Sequence, residues 1–172
     1  MRTLIAGLGN IFEGDDGFGV ATVAALAGKQ LPEGVEVRDY GIRGVHLAYQ
    51  LLDGYDLVVI IDAVARGEAP GTVYVIEHAV DEEIAEPAGD SPMLDAHDLA
   101  PDAVLALVPL LGGTLGRVVV VGCEPASIVP DMGLSAEVAR SVEKAAQLVS
   151  EIVYSAHATA DAPADKVRIG GD

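Results

Sequence analysis

The stretch Ile5–Gly19 reads IAGLGNIFEGDDGFG. The apolar run Thr3-Leu4-Ile5-Ala6 leads into it, Gly7 and Gly9 break that run, and Val20, Val23, Ala24, Ala27 and Leu31 follow at helical spacing. A buried strand, a glycine-rich loop and a helix are predicted from that order. In an open α/β sheet such a loop lies at the carboxyl end of its strand, where ligands bind. Gly7-x-Gly9 imitates the start of a dinucleotide fingerprint, but Phe12 occupies the third glycine position. Asp15 and Asp16 also stand where a pyrophosphate would approach, and two carboxylates repel it. Helix capping accounts for one acid. It leaves the second, set among five glycines, without a reason.

Working outward, Val35–Asp39 alternates as a half-buried strand, and Val45, Ala48, Leu51 and Leu52 are spaced for a short helix. Leu57–Ile61 is a continuous apolar run ending in Asp62, which predicts a central strand buried on both faces. Residues 63–71 are too short for a crossover helix, so the strand Thr72–Ile76 is expected to run antiparallel to its predecessor. Residues 77–96 are acidic and aperiodic, and a loop that long is often functional. A helix to about Leu111, a strand Arg117–Val121, an irregular loop and a helix N-capped by Ser135 complete the pattern. The expectation is a single three-layer α/β domain, residues 1–155, with a mixed, mainly parallel five-stranded sheet flanked by helices. Residues 156–172 are small, polar and aperiodic, and are expected to form a disordered tail.

The 172 residues suit one domain, and 51% apolar content supplies a core that 4% aromatic content leaves to aliphatic side chains. A formal charge of −17 argues against nucleic acid and anionic membranes as partners. The one cysteine, Cys123, excludes an internal disulfide and a cysteine-based zinc site. No run is long enough to span a bilayer, and the first apolar run is too short for a signal peptide. A soluble, cytoplasmic protein with no membrane insertion is expected.

Three polar residues stand out by position: Asp16 after the first strand, Asp62 at the end of the central strand, and His97 before a later helix. Parallel strands one and three end on the same edge, so two carboxylates and an imidazole can converge there. Two oxygens and a nitrogen suit Ni²⁺ or Zn²⁺ better than Mg²⁺, and three protein ligands leave coordination positions open. Taken alone, that spacing is also compatible with loop and capping roles. His46 falls within an amphipathic helix, His78 ends a strand of the opposite direction, and His157 belongs to the expected tail.

The set Gly7, Gly9, Asn10, Asp15, Asp16, Gly17 and Gly19 resembles the motif of the hydrogenase maturation proteases, endopeptidases that trim the C-terminal extension of the nickel-iron hydrogenase large subunit. The resemblance extends through Gly122-Cys123-Glu124-Pro125 and Gly133-Leu134-Ser135, so that it spans about Met1 to Tyr154. It implies an endopeptidase whose partner is a nickel-loaded large-subunit precursor. Asp16, Asp62 and His97 would meet the nickel carried by that precursor, or a divalent metal of their own. Asp15 is the rival ligand within the acidic pair. The resemblance also places Asp39 in a loop linked to cleavage, as a base or as a loop-holding carboxylate. There the sequence departs from the Asp-Gly-Gly-[Thr/Ser] form with Tyr40-Gly41-Ile42-Arg43. No H-E-x-x-H or G-x-S-x-G is present, so the common peptidase devices are missing. A non-proteolytic nickel-dependent escort and a nucleotide-binding module are the alternatives from other classes.

Overall fold

The computed structural model describes residues 1–78 and 101–160. Five strands form one sheet: β1 (Thr3–Leu8), β2 (Val35–Gly41), β3 (Leu57–Ala63), β4 (Val73–His78) and β5 (Arg117–Cys123). Among the described residues four α-helices accompany them: α1 (Phe18–Leu26), α2 (Gly44–Leu51), α3 (Pro101–Leu110) and α4 (Ala136–Ala160). The strand order is β2-β1-β3-β5-β4. All pairings are parallel except β4 with β5. The fold class read from the sequence is the one observed, and β4 runs in the expected direction. It reaches that orientation beside β5, at the sheet's edge.

The alternation of side chains decides the layers. Leu4, Ala6, Val58, Ile60, Val118 and Val120 pack on one face with Leu47 and Leu51 of α2 and Val104, Leu105 and Val108 of α3. Ile5, Leu57, Val59, Ile61, Val119 and Val121 pack on the other with Phe18 of α1 and Val138, Val149 and Val153 of α4. Central strands β1 and β3 are buried on both faces, which explains their unbroken apolar runs. Each fully buried Val, Leu or Ile contributes about 1.5–3 kcal/mol. By the same alternation Asp62 falls on the α2–α3 face.

From β1 the chain crosses to β2 on one side, while from β3 it proceeds to strands on the other. Strands β1 and β3 therefore flank the point where the winding reverses, and the crevice at their carboxyl ends is the natural ligand position. Gly19 makes that crevice tight. A Cβ there would lie 2.2 Å from the carbonyl oxygens of both Leu8 and Ile61, so only glycine lets α1 start against both strands.

Two boundaries differ from expectation. Helix α1 stops at Leu26, and Gly28 adopts φ +87°, so Leu31 lies beyond the helix. Helix α4 runs on to Ala160, through the start of the expected tail. His157 sits on its buried face, with Nε2 2.9 Å from Thr3 Oγ1 at the start of β1. Periodicity continues there in a form the sequence hides, because Val149, Val153 and His157 make a buried i, i+4, i+8 row that ends in a polar residue. Residues 161–172 lie outside the described residues.

Candidate functional site

The two acids of the first loop have different environments. A 3-10 turn, Gly14–Gly17, carries both. Neither caps α1, whose N-cap position Gly17 has no side chain. Asp15 turns away, into the loop after β5. Its Oδ2 accepts hydrogen bonds from the backbone N–H of Ala126 (2.8 Å) and Ser127 (3.1 Å), and its Oδ1 from that of Ser135 (2.6 Å). Burial pushes its pKa up, but three N–H donors and the Ser135 hydroxyl outweigh burial and hold it below the usual value. Asp15 thereby pins the glycine-rich loop to the entrance of α4. The backbone adds three bonds to the same seam: Gly14 N–H to Asp131 C=O, Asp131 N–H to Phe12 C=O and Asp15 N–H to Ser127 C=O.

Asp16 is half-buried, and its Oδ2 accepts from the backbone N–H of Asn10 at 2.5 Å. Gly9 makes this approach possible. It has φ +121°, and a Cβ on it would stand 1.8 Å from the Asp16 carbonyl oxygen. Asp62, buried at the end of β3, accepts among the described residues one hydrogen bond, from the N–H of Ala63 at 2.9 Å. Desolvation by burial, then the facing negative charge of Asp16, raise its pKa to about 7. The structure thus brings Asp16 and Asp62 into one electrostatic neighbourhood across the β1–β3 crevice. Two oxygen-donor carboxylates that repel each other in a sheltered crevice are a fitting donor set for a divalent cation. His97, the third proposed ligand, lies outside the described residues. Among the described residues alone, no group of three or more His, Cys, Asp or Glu side chains gathers as a ligand set.

A cavity of about 500 Å³ opens beside Asp62, lined also by Arg66, Ile76, His78, Pro101 and Asp102. His78 was expected at the wrong edge, and in register it does pair with Val118, four residues before the Gly122 that faces Asp62. It nonetheless lines the same cavity, together with Ile76 of β4. His46 is exposed on α2, as expected.

Asp39 Oδ1 accepts from the N–H of Gly41 at 2.8 Å, within the turn that ends β2. A bulge here lets Gly7 face Asp39 while Leu8 faces Gly41, and Gly9 N–H then donates to Gly41 C=O. The departure Tyr40-Gly41 is thus the bulge itself, with Gly41 at φ +52°.

Sequence reasoning missed the role of Glu124. It is buried and accepts from the N–H groups of Arg66 (2.7 Å) and Gly67 (3.2 Å) and from the Tyr74 hydroxyl. The Tyr74 bond first, and then the backbone donors, lower its pKa. An acid directly after an apolar strand, in front of Pro125, was the available signal. Cys123 is buried as expected, and burial first pushes its thiol up to about 11, too high for a ready nucleophile.

Comparison with known proteins agrees with this architecture. The family model for hydrogenase maturation protease matches residues 20–152, starting just after Gly19. A Methanocaldococcus jannaschii protein named for the same protease family is 36% identical over 153 residues, 85% of this chain and 92% of that protein. The hydrogenase 2 maturation protease of Escherichia coli K12 is 32% identical over 150 residues, 87% of this chain and 88% of its own. Among solved structures, the hydrogenase maturating endopeptidase HybD of Escherichia coli superposes with a TM-score of 0.71 at 30% identity, covering 91% of this chain and 94% of that one. The hydrogenase 2 maturation peptidase of Thaumarchaeota archaeon SCGC_AB-539-E09 gives 0.68 at 34% identity, covering 90% and 99%. The family model's match to residues 20–152, together with relatives and solved structures that align over most of the chain, identifies the chain as a member of the hydrogenase maturation protease family of endopeptidases.

Proposed function

We propose that this chain removes the C-terminal extension of a nickel-loaded [NiFe] hydrogenase large-subunit precursor, and that Asp16, Asp62 and His97 recognise the metal. The observation that carries the reading is Asp62, a sheltered carboxylate with one hydrogen bond whose pKa is raised to about 7 beside a second carboxylate. A carboxylate so placed is poised for a positive partner. Nickel carried by the precursor, or a divalent ion bound here, would supply Lewis-acid polarisation of the scissile carbonyl. The chain's own groups do the rest. Asp62, with its pKa raised by burial and by Asp16, would favour the ionised form once a cation is held beside it. Asp16 is held by Asn10, and the loops that frame both acids are fastened by Asp15, Asp39 and Glu124.

The test is to mix purified protein with nickel-loaded and nickel-free precursor and to measure the precursor's mass. Shortening of the loaded form alone is expected, with a metal-free peptide spanning the junction left uncut. Efficient cleavage of that peptide in a strong chelator would leave an ordinary sequence-specific peptidase. A stable complex with no change of mass would leave a non-proteolytic escort.

A further inference from the structure

The loops after β1 and β5 expose five large apolar side chains on one seam: Ile11, Phe12, Ile128, Val129 and Met132. Phe12 is 60% and Met132 73% exposed. They are neighbours by hydrogen bonding. Phe12 C=O accepts from Asp131 N–H, next to Met132, and Asp15 N–H donates to Ser127 C=O, next to Ile128. The Val129 carbonyl oxygen lies 3.6 Å from where a Gly14 Cβ would be.

These side chains are also held in place. Asn10 Oδ1 accepts from Phe12 N–H (3.0 Å), Asp131 Oδ1 from Met132 N–H (2.8 Å), and Asp15 clamps the two loops together. Apolar side chains displayed on fixed turns lose little freedom on binding, which is what a docking surface needs. Their surroundings carry one sign of charge. Residues 5–19 and 122–135 contain Glu13, Asp15, Asp16, Glu124 and Asp131 and no Lys, Arg or His. The seam ends at Asp16, so whatever it holds lies beside the crevice.

We propose that this seam is the docking surface for the precursor protein, and that it receives an apolar patch of that protein flanked by basic side chains. The proposal rests on the function given above and deepens it. Recognition would then have two parts, the metal read in the crevice and the folded surface read on the seam.

The experiment measures precursor binding by interferometry and precursor cleavage by mass for three forms. These are the parent, Phe12→Ser/Met132→Ser, and Leu110→Ser, a control at the far end of α3 whose side chain is 82% exposed. The double variant is expected to raise both Kd and KM about tenfold with kcat retained, while the control matches the parent. The parent's Kd should weaken from low to high salt, as opposite charges require. Val129→Lys, a single exposed change, should weaken binding in the same direction and guards against misfolding of the double variant. An unchanged Kd in both seam variants overturns the proposal. So does a parent dimer that the seam variants dissolve without changing precursor affinity, which would make the seam a self-interface. If the parent binds the precursor without shortening it, the proteolytic reading fails while the Kd comparison still decides the docking surface.

Discussion

The seam between the β1 and β5 loops and the crevice between β1 and β3 both bury carboxylates, by opposite means. Asp15 is 1% exposed and Glu124 6%, and hydrogen-bond donors hold the pKa of each down: three backbone N–H groups and the Ser135 hydroxyl at Asp15, the Tyr74 hydroxyl and then backbone N–H groups at Glu124. Asp62 is 9% exposed, accepts from the N–H of Ala63 among the described residues, and is raised to about 7 by burial and then by the charge of Asp16. Desolvation first and the charge of Asp16 second raise Asp62, whereas hydrogen-bond donors outweigh desolvation at Asp15 and Glu124. A saturated carboxylate fastens structure. An under-saturated one keeps its field available for something not made of protein.

The largest effect that would test this contrast is on activity. Asp62→Asn removes the crevice charge with little change of shape. It should lower precursor cleavage about a thousandfold, roughly 4 kcal/mol in the barrier, while leaving the melting temperature equal or higher. A marked loss of stability instead would place Asp62 with Asp15 among the fasteners. Next comes Gly19→Ala, whose Cβ must displace two backbone carbonyls and lift α1 from the crevice. Chemical denaturation should show a loss of about 3 kcal/mol or more. A near-neutral result would mean that the crevice is not built on that contact.

Asp15→Asn should act on stability first and Asp16→Asn on cleavage first. In Asp15→Asn an amide NH₂ replaces an acceptor among three donors, at a cost of about 2–3 kcal/mol. The sign of the pH dependence follows from the lowered pKa. The contribution of Asp15 is fully present above the unfolded value near 3.8 and is lost as pH falls through the lower folded value. Urea midpoints taken down through that range should fall more steeply in the parent than in Asp15→Asn. Equal slopes would show that Asp15 is not the acid-sensitive clamp. The smallest effect is at the other end of the sheet. His157→Ala loses the bond to Thr3 and should cost about 1 kcal/mol by the same measurement, with cleavage retained.

What was legible follows the same division. Strands β1, β3 and β5 were readable because burial on both faces writes an unbroken apolar run. Asp16 and Asp62 were readable because strand ends and glycine loops mark the ligand edge of an α/β sheet. The separate task of Asp15 was not, since its partners are backbone amides more than a hundred residues away, which no local pattern encodes. Glu124 was hidden likewise, since its partners, the Tyr74 hydroxyl and the amides of Arg66 and Gly67, lie 50 to 58 residues earlier. The end of α4 was misread because small residues and a buried histidine blur a helical face, whereas His78 stands at the expected edge, paired with Val118, and lines the cavity from there. His97 is readable in sequence and falls outside the described residues.

The clamp on Asp15 also has a consequence in time. Its three amide partners lie 111, 112 and 120 residues further along the chain. During synthesis the glycine-rich loop leaves the ribosome long before anything exists to hold it. The amides of Ala126, Ser127 and Ser135 should therefore gain protection from hydrogen exchange together and late, since distant contacts form only after the loop-closure entropy has been overcome. A nascent chain carrying the first loop and the central strand, but ending before Ser135, would hold both crevice acids without the fastening that aligns them. The alignment of the two acids would then wait until the segment carrying Ser135 has emerged.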